Sequence, residues 1–223
     1  MYNILYRVIC IIVGYIFGLF QTGYLYGRMN HIDIRDYGSG NAGTTNAMRV
    51  LGKKAGIITY IGDTLKGILC GLLIRAIFGA GVGLDSAYVF VLVLYGGLGV
   101  VLGHNFPCYM NFKGGKGIAA SSGVIISLLD LRLMIIACAT FVLVAALSKY
   151  VSLASITMMI VFFASIVVFG VAGWLPVSKT SHFIETIIMT FLLSALAIFR
   201  HRANIKRLVN GTERKIGEKK ENK

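Results

Sequence analysis

The chain has 223 residues, of which 57% are hydrophobic and 14% charged, with a mean hydropathy of +0.77. Soluble domains carry about 25% charged residues, so a soluble globular fold is excluded and a polytopic membrane protein is implied. The net charge of +13 does not point to nucleic acid, because the positive residues sit in short connections and a terminal tail, with no room for a soluble basic domain.

The apolar runs, in order, are Ile4–Leu25, Gly56–Ala80, Ala87–Leu102, Gly117–Leu129, Leu133–Leu147, Val151–Leu175 and Phe183–Phe199. The first begins almost at the N-terminus and has no small-residue cleavage site after it, so it reads as a retained helix. The fourth is short and glycine-flanked, which suits a partial or steeply inclined helix; without it the count falls to six or five. The expected fold is an all-α integral membrane protein of about seven transmembrane helices, one of them short.

Charge gives the orientation. With the N-terminus outside, the inner segments hold Arg28, Arg35, Arg49, Lys53, Lys54, Lys113, Lys116, Lys149 and nine more from Arg200 onward, and the outer segments hold Arg7, Arg132 and Lys179. That is 17 against 3, which places the C-terminus in the cytoplasm. Residues 1–210 then form the membrane domain and 211–223 a basic cytoplasmic tail. Topology alone accounts for Arg214, Lys215, Lys219 and Lys220. Cys10, Cys70, Cys108 and Cys138 show no paired spacing, so neither a zinc site nor a disulfide framework is indicated. Acidic residues are too few for a dedicated cation cage, and no metal or cofactor is expected.

Three glycine-rich basic stretches emerge on the one inner side: Ser39–Gly56, Gly103–Gly123 and Arg200–Gly211. Glycine lets backbone N–H groups approach a ligand, and lysine and arginine supply countercharge, so together they read as phosphate sites.

In the first stretch, Gly38–Gly43 matches the dinucleotide fingerprint G-x-G-x-x-G. It follows a membrane helix instead of a buried strand, so the nucleotide meaning is rejected and the anion nest kept. Ser39, Gly40, Asn41, Gly43, Thr44, Thr45 and Asn46 offer hydroxyl, amide and backbone donors. Arg49 follows about one helical turn later, placed to fork onto a phosphate. Ser39 and Asn41 also suit helix caps, and the two roles share the same N–H groups. His31 and Asp36 stand in H-x-x-x-x-D spacing, a single hit with no helix or strand signal to fix the pair. No Walker-type P-loop is present.

Within the second span, Asp63 and Lys66 are three residues apart and share a helix face. Each charge alone at mid-membrane would cost about 2.5–3.5 kcal/mol or more. Two readings fit: a neutralising pair that orients the helix, or a carboxylate that aims Lys66 at a ligand. In the second stretch Lys113, Gly114, Gly115, Lys116 and Gly117 open the short fourth helix, whose positive dipole end faces the same ligand. His104, at the inner end of the third span, reads as structural or catalytic. His201 and Asn204 share a face past the last span and read as a headgroup-level basic collar or as groups that position or deprotonate a hydroxyl.

Taken together, SGNAGTTNAMRVLGKKAG, GHNFPCYMNFKGGKGIA and HRANIKRLVNGTE, with DTLKG in the second span and YVSLAS between the fifth and sixth, resemble the bacterial membrane acyltransferases that acylate glycerol 3-phosphate from acyl phosphate. Thr44 stands where that family often has alanine. The resemblance implies a seven-helix enzyme making lysophosphatidic acid, the first step of phospholipid synthesis, at the inner face of the cytoplasmic membrane. It implies acyl phosphate and not acyl-CoA or acyl carrier protein as donor, membrane lipids as surroundings, and a soluble acyl-phosphate-producing enzyme as a partner. By motif position it puts Ser39, Arg49, a lysine of Phe112–Gly117, Ser152, His201 and Asn204 in the substrate site, with Ser39, His201 and Asn204 as the catalytic candidates. It does not separate Lys113 from Lys116.

The chemistry is compatible. An acyl phosphate is a mixed anhydride with a good leaving group, so no covalent nucleophile is needed, and no Cys/His or Ser/His/Asp arrangement is evident. Positioning offers about 7–11 kcal/mol, and a general base, either His201 or a substrate phosphate, adds about 10²–10⁴-fold. An organic-phosphate transporter shares the basic glycine-rich loops but would place ligand groups near the midplane. A lipid-binding scaffold would act through the tail.

Overall fold

Glycine spacing sets a backbone-to-backbone helix contact at the centre of the molecule. The computed structural model describes residues 4–218, and its first helix, α1 (Ile4–Leu19), lies against α4 (Ser86–Asn105) almost backbone to backbone. A methyl group on Gly14 would sit 2.0 Å from the Gly96 carbonyl oxygen, and one on Gly103 would sit 2.2 Å from that of Tyr15. Small residues are what allow such approach between membrane helices, where lipid gives no hydrophobic drive for association. Nearly the whole of α4 is buried, consistent with a helix apolar all round at the centre of a bundle.

Around it stand α2 (Thr22–Met29), α3 (Thr44–Ile74), α5 (Ile118–Ser127), α6 (Leu131–Ser148), α7 (Val151–Val171), α8 (His182–Arg200) and the short α9 (Arg202–Val209). Six helical segments are long and apolar enough to cross a membrane, and α5 is a shorter apolar helix. This is the expected count of seven with one short member, and no strand occurs among the described residues.

Two spans differ from the continuous helices expected. The first breaks at Phe20–Gln21, between α1 and α2. Its freed carbonyls find partners from elsewhere, as a bilayer requires. Gly18 O accepts from Gln21 Nε2 at 3.1 Å, Leu19 O from Tyr109 Oη at 2.8 Å and Phe20 O from Lys66 Nζ at 2.6 Å. The second span is longer than its apolar run. Helix α3 starts at Thr44 and kinks at Gly52, whose φ of +87° lies in the left-handed region that favours glycine.

Helix α5 is ten residues long, about 15 Å at 1.5 Å per residue, or half the hydrocarbon thickness. It packs on α3 through Gly67, Gly71 and Gly123. Its last carbonyls, Ser127 O and Leu128 O, accept from Arg75 Nε at 2.8 Å and Nη2 at 2.6 Å. A helix can stop inside the membrane only with such partners.

The first two glycine-rich stretches lie at the same end of the bundle, because Arg35 Nη1 donates to Met110 O at 3.0 Å and the rings of Tyr24 and Tyr109 meet edge-on. The third joins them through Arg200, described below. The opposite end is closed by a polar knot. Arg7 is paired with Glu185 and donates to Tyr88 Oη at 2.8 Å, Tyr95 Oη donates to Glu185 Oε1 at 2.7 Å, and the Tyr88 ring stacks on His182. After α9 the chain turns back, with Ile216 N donating to Lys149 O. Lys219 and Lys220 lie outside the described residues.

Candidate active site

The loop after α4 folds back on the helix it has just left. Gly115 N donates to His104 O at 3.0 Å and Gly114 N to Asn105 O at 3.2 Å. From α8, Arg200 Nη2 donates to Gly115 O at 2.7 Å while its guanidinium lies over the Phe106 ring. The left-handed conformation of Gly117, at φ +83°, then starts α5. This path turns Lys116 inward and leaves Lys113 exposed. Spacing alone did not separate the two lysines.

Lys116 Nζ donates to Asn204 Oδ1 at 2.6 Å, and Asn204 Nδ2 donates to Glu213 Oε1 at 2.6 Å. Ser152 Oγ donates to the same carboxylate oxygen at 2.8 Å, and Arg207 Nε to the other at 2.6 Å. Loop, α7, α9 and the turn beyond α9 thus meet in one cluster. Burial would raise the Glu213 carboxyl, but the hydrogen bonds from Asn204, Ser152 and Arg207 hold it below the usual carboxylate range. Burial, with Arg207, Arg200 and Arg49 nearby, brings the Lys116 ammonium down to about 8 despite the attraction of Glu213.

His201 lies at the junction of α8 and α9 and is buried. Its Nδ1 donates to Ala197 O at 2.8 Å, since a carbonyl can only accept. That leaves the lone pair on Nε2. Burial first, and then the Lys116 charge, lower its pKa to about 4, so the imidazole is neutral at pH 7. Arg49 is within electrostatic range of Glu213, Arg207 and Lys116. Several cations surround a single carboxylate.

The loop before α3 is organised by Asn46. Its Oδ1 accepts from Ser39 N at 2.8 Å and Ser39 Oγ at 3.2 Å, and its Nδ2 donates to Ile34 O and Tyr37 O. Asn41 Oδ1 accepts from Gly43 N at 2.9 Å. Asn46 therefore spends its amide on the loop itself. Ser39, Gly40, Thr45 and Arg49 stay exposed. Among the described residues, no hydrogen bond of Ser39 reaches the Lys116 cluster. His31 and Asp36 are both exposed and make no pair.

Lys66 is buried, with its ammonium within hydrogen-bond distance of Phe20 O at 2.6 Å, His104 Nδ1 at 2.7 Å, Asp63 Oδ1 at 2.9 Å and Gly18 O at 3.4 Å. No ammonium hydrogen is left for a phosphate in this arrangement, so the geometry is that of the neutralising, orienting pair. Reading the residues one by one missed Glu213, Arg200 and Arg207. A signal for Glu213 was available: it is the sole acidic side chain between Arg200 and Lys215.

An outward-facing apolar groove of about 370 Å³ lies between α7 and α8, lined by Ile160, Phe163, Phe191, Ala195, Ile198 and Phe199. Its lining residue Phe199 directly precedes Arg200 and His201 in the chain.

Comparison with known proteins places the chain among relatives along nearly its whole length. The family model described as glycerol-3-phosphate acyltransferase matches residues 8–211. A glycerol-3-phosphate acyltransferase of Clostridioides difficile (strain 630) is 41% identical, covering 96% of this chain and 97% of its own length. One of Thermoanaerobacter sp. (strain X514) is 42% identical over 97% and 99%. Among solved structures, the glycerol 3-phosphate form of PlsY (YgiH), an integral membrane glycerol 3-phosphate acyltransferase, superposes with a TM-score of 0.77 at 33% identity over 95% of this chain and 96% of that one. The lysophosphatidic acid form of the same protein gives 0.75 at 32% over 95% of each chain.

Proposed function

The chain belongs to the glycerol-3-phosphate acyltransferase family, and from that premise we propose that it moves a fatty acyl group from acyl phosphate to a hydroxyl of glycerol 3-phosphate, releasing lysophosphatidic acid and inorganic phosphate. The reaction takes place at the cytoplasmic face of a bacterial inner membrane, the face to which the excess of lysine and arginine assigns this end of the bundle. The observation that carries the reading is the convergence of Lys116, Ser152, His201, Asn204 and Glu213 from remote stretches of sequence into one cation-rich cluster.

The transfer balances without a cofactor. The glycerol oxygen attacks the acyl carbonyl carbon, the bond from that carbon to the phosphate oxygen breaks, and the hydroxyl proton passes to His201 Nε2 or to the departing phosphate. His201 has a free lone pair to receive it, because its other nitrogen is fixed as a donor and its ring is neutral, but a pKa lowered to about 4 makes it a weak base. Arg49 and Lys116 supply countercharge to the phosphates. Glu213 does not coordinate an anion; it orients Asn204 and Arg207 around Lys116. The groove ending at Phe199 accommodates the acyl chain beside the reacting carbonyl. Residues 1–210 thus carry the membrane unit, and the basic tail beyond them contributes Glu213.

The test is a direct assay. Purified protein in lipid or detergent is incubated with labelled glycerol 3-phosphate and either acyl phosphate or acyl-CoA. Labelled lysophosphatidate is expected with acyl phosphate alone; equal product from acyl-CoA would reject the donor assignment, and no product from either would reject the reaction.

A further inference from the structure

Below the glycine-rich loop lies a chain of buried groups that, among the described residues, shares no side-chain hydrogen bond with the Lys116 cluster but fixes the residue before it. Asp63, Lys66 and His104 are each at most 4% exposed. Lys66 Nζ is held by Asp63 Oδ1 at 2.9 Å, by Phe20 O at 2.6 Å, a carbonyl freed by the break in the first span, and by His104 Nδ1 at 2.7 Å. An ammonium can only donate, so His104 Nδ1 accepts and the proton of the neutral ring sits on Nε2. Flipping the ring would turn a C–H toward a buried charge, which fixes the orientation as well as the tautomer.

The far edge of that ring is the floor of the loop. A methyl group at position 115 would stand 1.9 Å from His104 Nε2, nearer than any real contact. Gly115 is held on three sides: its Cα against the imidazole, its N–H on His104 O, its carbonyl under Arg200. The next residue is Lys116.

We propose that His104, locked by Lys66 and Asp63, is a positioning residue that sets the height of Gly115 and so determines where Lys116 delivers its charge. This rests on the substrate site proposed above. His104 need not touch substrate; it acts through the loop, and displacements near 1 Å in such loops cost up to about a hundredfold in rate.

Two variants and their combination test this. His104→Asn keeps an acceptor where Nδ1 stood, so Lys66 retains a partner, and removes the edge that meets Gly115. Expected is a KM for glycerol 3-phosphate raised about tenfold with kcat nearly retained, the signature of disturbed binding. Gly115→Ala should be the more severe single change, and adding His104→Asn should recover a measurable part of its activity, because the space the methyl needs is then open. Should Gly115→Ala fail to yield a monodisperse protein in detergent, recovery of folded protein in the double variant reads the same coupling. The proposal is overturned if His104→Asn lowers kcat with KM unchanged, as a purely structural loss of active protein would, or if Gly115→Ala costs the same in both backgrounds. If the unaltered protein makes no lysophosphatidate, the proposed function fails separately. Thermal stabilisation of the four proteins by glycerol 3-phosphate then reports the coupling without turnover.

Discussion

The two ends of the bundle each carry a polar cluster, and they are built on opposite principles. At one end Arg7 faces Glu185, one cation to one carboxylate, with Tyr88 and Tyr95 completing the shell. At the other, Arg207 pairs with Glu213 directly, Lys116 reaches it through Asn204, and Arg49 stands within range. The first cluster is neutral and closed and ties α1, α4 and α8 together. The second keeps positive charge in excess, which leaves cations free to meet an anion. Charge balance thus separates a fastening from the proposed binding site even where residue types are similar.

The contrast can be broken most sharply at His201. His201→Gln removes the proton acceptor and should lower kcat by about 10²–10⁴-fold if Nε2 takes the proton. Near-normal turnover in the same assay would assign the proton to the departing phosphate. Lys116→Met should lower kcat/KM for lysophosphatidate formation by about 10²–10³-fold, since it deletes charge aimed at a developing anion. Its melting temperature should stay close to that of the unaltered protein. At the closed end the pattern reverses. Glu185→Gln leaves Arg7 without its carboxylate, and the side chains are 14% and 21% exposed, so the loss should fall near the lower end of the about 3–5 kcal/mol seen for fully buried pairs. It should appear as a lower melting temperature with KM unchanged.

Arg49→Lys keeps the charge but loses the fork, and should raise KM for glycerol 3-phosphate by about tenfold. The smallest effect is one of pH. Lys116 titrates near 8, so its charge is present below that value and is lost as pH rises through it. Anion affinity should therefore decline above pH 8, seen as a several-fold rise in KM. A bound phosphate raises the lysine pKa, so kcat should change less than kcat/KM. A KM flat from pH 7 to 9.5 would remove Lys116 from the phosphate site.

The sequence made some of this visible and hid the rest for physical reasons. Hydropathy marks every long segment, because each must satisfy the bilayer alone. Even the shortness of α5 is visible at Gly117–Leu129. The break at Phe20–Gln21 is not, since the groups that stabilise it, Lys66 and Tyr109, come from distant parts of the chain. In the same way, Lys113 and Lys116 look equivalent in a flexible glycine run and part only when His104 and Arg200 fix Gly115. Ser152 entered through family resemblance alone, an isolated serine with no local signature. Glu213 was hidden by context, an acid among the basic residues of a tail whose positive charge topology already explained.

One consequence concerns Arg75. By taking the last carbonyls of α5, it anchors that helix to α3 deep in the apolar layer. The helix is a stiff strut about 15 Å long, and its other tip carries Gly117 and, one residue before, Lys116. The depth at which the Lys116 ammonium stands is therefore gauged from within the apolar layer, by an arginine one helix length away from it.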